Sequence, residues 1–298
     1  MKGNAIARII IYSILILVLI GILVVALGAN NYFKFGTSGG TPVVGSMNVD
    51  ESDVRNLEIN WASGNITIIR DDIEEILVEE IANGEIKDPM TYNLRGNTLQ
   101  INYAEGNVRI GFGSLQKKDL NITVPMDWSC GDLIINSAST DVEIREMTAD
   151  LLELNTASSD CTITNCTIGN LELNGASCDL NYSGSLNSLT CDGASANITA
   201  VFTNVPRSIE LDGASADLDI TLPSDCGYEI DMDGVSNRCT SEFTTSKGSH
   251  SYGNGACKIT IDGVSATVHI RNGGHHHTED CSTPNSNCPD NSHSGNHH

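Results

Sequence analysis

The sequence predicts an all-β chain: a β-helix-like parallel solenoid with one transmembrane helix ahead of it. Three observations carry that prediction. One phrase recurs along most of the chain, two-residue alternation of apolar and polar residues runs through each copy, and a single uncharged aliphatic run stands near the start.

The clearest copies of the phrase are LELNTASSDCTI (152–163), LELNGASCDL (171–180), LTCDGASANI (189–198) and IELDGASADLDI (209–220). Looser copies are LIINSASTDVEI (133–144), IDMDGVSNRC (230–239) and ITIDGVSATVHI (259–270), and two more stand upstream, LEINWASGNITI (57–68) and LQINYAEGNVRI (99–110). Alignment puts Ser63, Ser139, Ser158, Ser177, Ser195, Ser215, Ser236 and Ser265 in one column, with Glu105 replacing serine once. From Ser139 to Ser236 the spacing stays between 18 and 21 residues. A period that constant describes stacked units, each too small to bury an apolar face alone.

Within a unit, Leu171, Glu172 and Leu173 alternate, the chain turns through Asn174, Gly175, Ala176 and Ser177, and alternation resumes at Leu180. Period two places the leucines on one face. That predicts burial of the column Leu154, Leu173, Cys191 and Leu211. The Asn/Asp-Gly pair reads as turn chemistry, with glycine chosen for positive φ. A two-residue hairpin is the rival reading of the same pair; the even recurrence favours parallel rungs, with a hairpin region inserted near 76–101, where ILVEEI (76–81) and MTYNL (90–94) flank a loop containing Pro89.

The elements follow in order. Residues 1–8 form a short cytoplasmic N-terminus, and 9–27, IIIYSILILVLIGILVVAL, are long enough to cross a bilayer as a helix. Lys2 and Arg8 precede the span and only Lys34 follows closely, which orients the N-terminus inward and the body outward. A cleaved signal peptide competes with this reading, since Ala26-Leu27-Gly28 resembles a small-x-small site, but the apolar run exceeds the usual signal core. Residues 28–50 read as a flexible spacer rich in Gly, Ser, Thr and Asn, and 51–271 as the β-repeat domain. Residues 272–298 read as a disordered tail holding six of the eight histidines. Clustered histidines could hold a transition metal; a solvated tail is the plainer reading.

Charge narrows the partners. The first 49 residues carry Lys2, Arg8 and Lys34 and no acid, so the rest of the chain holds 13 basic against 38 acidic side chains. An acidic body of that kind repels nucleic acid and anionic lipid surfaces. The ten cysteines would suit an oxidised framework outside the cell, yet Cys161, Cys191 and Cys239 align with inward positions occupied elsewhere by Val142, Leu173 and Val268. There a thiol serves as a small hydrophobe. No CxxC spacing occurs.

One column carries possible site chemistry. Before each turn stand Asn60, Asn102, Asn136, Asn155 and Asn174, then Asp192, Asp212, Asp233 and Asp262. Stacked about 4.8 Å apart, amides can bond rung to rung, whereas neighbouring carboxylates at about 5 Å repel by roughly 3 kcal/mol at an effective dielectric near 20. The four aspartates either reach into water, keep protons, or are bridged by a hard cation such as calcium. Catalysis finds little footing: only His250 and His269 lie in the body, and no GxSxG, HExxH or Walker sequence occurs. A β-helical polysaccharide lyase would need a basic cluster, and residues 130–220 hold Arg145 and Arg207 against fourteen acids. No enzyme is expected.

The order of LEINWASGNITI, a hairpin, LNITVP (120–125), the repeated L-x-L-x-x-A-S phrase and a closing ACKITIDGVSATVHI resembles the bacterial "putative adhesin" family of β-strand-repeat envelope proteins, over about residues 50–271. Many members carry Ser-Gly-Asp at the turn, where this chain has Ala-Ser-x-Asp or Ala-Ser-Ala. The resemblance implies a right-handed β-solenoid at the cell surface, often tethered to the membrane, with adhesion as its suggested role and no catalytic residues to carry over. The expected function is a membrane-anchored, extracytoplasmic, non-enzymatic module that presents a rigid β face to an envelope or extracellular ligand. The alternative is an envelope-stress accessory or sensor that signals through the span.

Overall fold

In a computed structural model the described residues are 36–37, 40–106, 115–243 and 251–274. The expected transmembrane span 9–27, His250 and the tail from residue 275 onward lie outside them. Within the described residues the strands are β1 (Gly36–Thr37), β2 (Thr41–Pro42), β3 (Ser46–Val49), β4 (Asn56–Asp71), β5 (Ile76–Ala82), β6 (Thr91–Arg95), β7 (Thr98–Asn102), β8 (Ala104–Glu105), β9 (Lys118–Pro125), β10 (Cys130–Arg145), β11 (Thr148–Phe202), β12 (Ser208–Leu222), β13 (Tyr228–Asp233), β14 (Ser236–Ser241), β15 (Ser251–Tyr252) and β16 (Cys257–Asn272). One 3-10 turn, Glu51–Asp53, is capped by Asp50. No helix among these residues is long and apolar enough to cross a membrane.

The repeats stack in parallel and in register. Leu133 pairs with Leu57 on one side and Leu152 on the other, and Leu189 pairs with Ile209, which pairs with Ile259. The serine column is held in the same way: Ser63, Ser139 and Ser158 are partners, as are Ser195, Ser215 and Ser265. β11 is 55 residues of unbroken strand, which laid straight would span roughly 180 Å. Instead it coils through three rungs, and the Nδ2 of Asn174 bonds Asn155 Oδ1, nineteen residues back, at 3.0 Å. The expected inward column is buried, with Leu154, Leu173, Cys191 and Leu211 all at 4% exposure or less. Alternation therefore produces one continuous apolar seam along the stack.

Rung order departs from chain order at both ends. Along the first arms the order is β7, β4, β10, the three turns of β11, β12, β16 and β13. Eight steps of about 4.8 Å make a stack about 38 Å tall. The copy at 230–239 was expected between those at 209 and 259, but β16 pairs with β12 and β13 lies beyond it. At the proximal end the first arm below β4 comes from β7 (Leu57 beside Leu99), while the second arm comes from β9 (Ile66 beside Leu120). The 99–110 copy thus supplies half a rung, and its Ala104–Glu105 pairs with β1.

A hairpin does form in the expected region, but it joins β6 to β7 and not 76–81 to 90–94. β5 lies antiparallel between β3 and β9, and β6 folds back on β7 through Gly96 and Asn97. These antiparallel strands close the proximal end of the stack. Part of the expected spacer joins them, since β2 pairs with β6 and β3 with β5.

Candidate functional site

The Asx column is built as a single line across the first-arm corner. Its lower half is an amide ladder: Asn60 Nδ2 donates to Asn102 Oδ1 at 3.0 Å, Asn136 to Asn60 at 2.9 Å, Asn155 to Asn136 at 3.0 Å and Asn174 to Asn155 at 3.0 Å. The second amide hydrogen goes to the same arm, where Asn155 Nδ2 also donates to Glu153 Oε1 at 2.8 Å and Asn60 Nδ2 to Glu58 Oε1 at 3.2 Å. Each inner asparagine accepts from one rung and donates to the next, so the stack is locked in register.

The structure brings the four aspartates together in the upper half, though not in chain order: Asp192 pairs with Asp212, Asp212 with Asp262, and Asp262 with Asp233. All four are exposed, which lets water screen their repulsion. Among the described residues no group of three or more His, Cys, Asp or Glu side chains is arranged to hold a metal ion.

The glycine after the Asx residue has a different reason from the one expected. Gly234, after Asp233, does adopt positive φ (154°), but Gly175, Gly193, Gly213 and Gly263 do not; a Cβ on Gly213 would instead stand 2.2 Å from the carbonyl oxygen of Gly193. Stacked corners pass too closely for a side chain. Two rungs lower the same position carries Ser137 and Thr156, and with Thr140 and Ser159 these bring four buried hydroxyls to the corner without a protein partner.

Sequence reasoning missed a second polar centre, in the proximal cap. Lys118 is fully buried with Nζ 2.5 Å from Glu80 Oε1, and it donates to the carbonyls of Asp88 and Tyr103 at 2.5 Å each. Its ammonium lies 3.9 Å from the centre of the Tyr103 ring and 5.4 Å from that of Trp61. Desolvation lowers the Lys118 pKa, partly offset by Glu80 and Asp88, and Glu80 Oε2 accepts the Met90 N–H at 3.1 Å. The arrangement ties three segments together around one cation and is closed to any substrate. Nothing in the run LQKKDL distinguishes Lys118 from Lys117 except alternation, which turns Lys118 inward.

The thiols also face inward. Burial pushes Cys130, Cys161 and Cys257 up to about 12, and Cys166, Cys178, Cys191 and Cys226 are buried as well. All eight described cysteines are free. Cys239 is the exception to the expected pattern. It stands in register with the buried Val268 yet is exposed, because no rung lies beyond it among the described residues.

Distally the stack ends on β13 and β14. Tyr228, Phe243 and Tyr252 pack together over the first arm, with ring centres 4.8 to 6.1 Å apart. Among the described residues the second arm, β14, pairs with β16 on one side only. Beside it Val235 is 68% exposed, and Asn237 has an amide nitrogen and oxygen without partners.

Residues 54–188 match the family model described as Toastrack DUF4097. This segment is similar to Toastrack domains. The Toastrack match covers the proximal cap, the amide ladder and the first turns of β11, and the remaining rungs continue the same stack. Similar folds among solved structures include a "putative cell adhesion protein" from Clostridium sporogenes, 13% identical over 78% of this chain and all (100%) of its own, with a TM-score of 0.40. A "putative adhesin" from Bacteroides fragilis is 13% identical over 79% of this chain and 99% of its own, also at 0.40. A "putative lipid binding protein" from Parabacteroides distasonis is 15% identical over 79% and 98%, at 0.34. No curated protein matches.

Proposed function

We propose that the chain is a membrane-anchored, extracytoplasmic β-solenoid, coiled right-handed, that works without catalysis by holding a rigid polar face towards an envelope or extracellular ligand. The observation that carries this reading is the amide ladder continuing into the exposed aspartate column: an in-register line of nine Asx side chains fixed by the backbone stack. A rigid array loses little conformational entropy on binding, so weak contacts repeated rung after rung add up. The buried groups support the non-catalytic part of the reading. Lys118 and Glu80 are enclosed, and the thiols of Cys130, Cys161 and Cys257 are held neutral by burial. The aliphatic run 9–27 supports the anchor.

The test is retention of native envelope fragments by vesicles carrying the full chain. Retention well above that of protein-free vesicles, reduced by Asp212→Lys and Asp262→Lys together, is the expected outcome. Equal retention by loaded and empty vesicles would overturn the proposal.

A further inference from the structure

The two ends of the stack are finished differently. Proximally, β7 is covered by β6 and β2, and β9 by β5 and β3, all antiparallel. Distally, the first arm β13 is covered over Tyr228 and Glu229 by antiparallel β15, whereas the second arm β14 (SNRCTS) shows an outer edge that no described strand covers, with exposed Val235 beside it and the inward-column residue Cys239 open to solvent. Sheet edges are ordinarily blunted by charged side chains, proline or a bulge; this one has no lysine or proline and a single charge, Arg238.

We propose that the distal rung pairs edge to edge with the distal rung of a second copy anchored in an opposing surface, so that the protein adheres to itself in trans. The anchor in this statement rests on the reading above. Geometry favours a second copy over other partners. Head-to-tail stacking is blocked because the proximal end is already covered, which leaves the two-fold, isologous contact. Antiparallel pairing puts residues of one face opposite each other. With Cys239 facing Cys239 of the second copy, Arg238 lies opposite Thr240 and Asn237 opposite Ser241, so no like charges meet. Shifted by one residue onto Arg238, the same pairing would oppose two guanidinium groups.

Charge points the same way. In a chain with 38 acidic side chains, β14 carries Arg238 and no acid, so two copies approach here against less repulsion than along the flanks. Direction completes the argument. The chain enters at the proximal end through β2, so a two-fold at the distal edge sets the two anchors at opposite ends of a double stack about 76 Å long. That span bridges two surfaces and cannot be made within one.

The experiment uses the full chain with Cys281→Ser and Cys288→Ser, reconstituted into two vesicle populations bearing different tags. Flotation with vesicles reads the anchor separately. Mixed populations are expected to cluster, and two copper(II) ions, each reduced to copper(I) by one electron as the two thiols release their protons to water, are expected to link Cys239 to Cys239 between the tags as a disulfide. Val235→Lys and Cys239→Arg, both at exposed positions, should abolish clustering with the melting temperature unchanged. Clustering that survives both substitutions, or Cys239 links confined to one population, would overturn the pairing. Flotation and envelope retention without clustering would overturn it alone and leave the proposed function standing. A chain that fails to float would overturn the anchor and the pairing together.

Discussion

Glu146 and Asn165 occupy the same corner of successive rungs with φ of 57° and 56°, and Gly184 takes that corner in the next. Left-handed backbone costs a side-chain-bearing residue about 1 kcal/mol or more, less for asparagine than for glutamate. Glu146→Gly should therefore raise the unfolding free energy read from urea denaturation by roughly 1 kcal/mol and Asn165→Gly by less; a loss with Glu146→Gly would refute the strain. Ser159 presents the converse case. Its hydroxyl is buried without a partner, while Ala216 and Ala266, in register in the same inward line higher up the stack, are buried alanines. Ser159→Ala should stabilise by about 1 kcal/mol, since an unpartnered buried hydroxyl carries its full desolvation cost.

The thiols set an alkaline limit at this same scale. Cys130, Cys161 and Cys257 rise from 9.0 to about 12 through burial, and Tyr103 from 10.0 to about 12. A folded pKa above the unfolded one means that the native state keeps protons which the unfolded state releases. Their contribution is complete below about pH 9 and is lost as pH rises towards 12. The melting temperature should fall steeply above pH 9 and more gently in Cys161→Ala; a flat profile from pH 9 to 11 would contradict the burial of these thiols.

Among elements, the Asx column divides into a half that holds the stack and a half that loads it. Asn155→Ala removes two inter-rung bonds and strands the neighbouring amide groups, a loss of about 2 kcal/mol in chemical denaturation. Asp212→Asn relieves repulsion from Asp192 and Asp262. It should raise the melting temperature at low ionic strength and lose most of that gain near 1 M salt, where the screening length is about 3 Å. The ladder was legible because a 19-residue period and two-residue alternation are enough to align Asn136, Asn155 and Asn174. Lys118 with Glu80 was not, since nothing local links residues 38 positions apart.

Rung order at the distal end was hidden for a related reason. The phrases at 230 and 259 fit the same slot equally well up to the turn. What separates them is the second arm. Ala266, Val268 and Ile270 are apolar enough for a central place, whereas Asn237, Cys239 and Ser241 tolerate the end. A solenoid puts its least apolar rung outermost, where the inward face has no neighbour to fill it. Glycine was misread at the same level, because turn chemistry and close approach of stacked backbones leave the same letter in the sequence.

For the whole molecule, everything functional depends on one continuous stack running from a closed proximal cap to an open distal rung. The most direct test is cross-linking of outward first-arm positions in the full chain, with cysteines placed at Glu210 and Thr260 or at Glu210 and Asp231. Thr260 is the register partner of both Glu210 and Asp231, so Glu210 and Asp231 stand two steps, about 10 Å, apart. A linker too short for two steps should join the Glu210→Cys, Thr260→Cys pair and leave the Glu210→Cys, Asp231→Cys pair unlinked. Preferential linking of positions 210 and 231 would show that the rungs follow chain order, and the open distal edge of β14 would not exist.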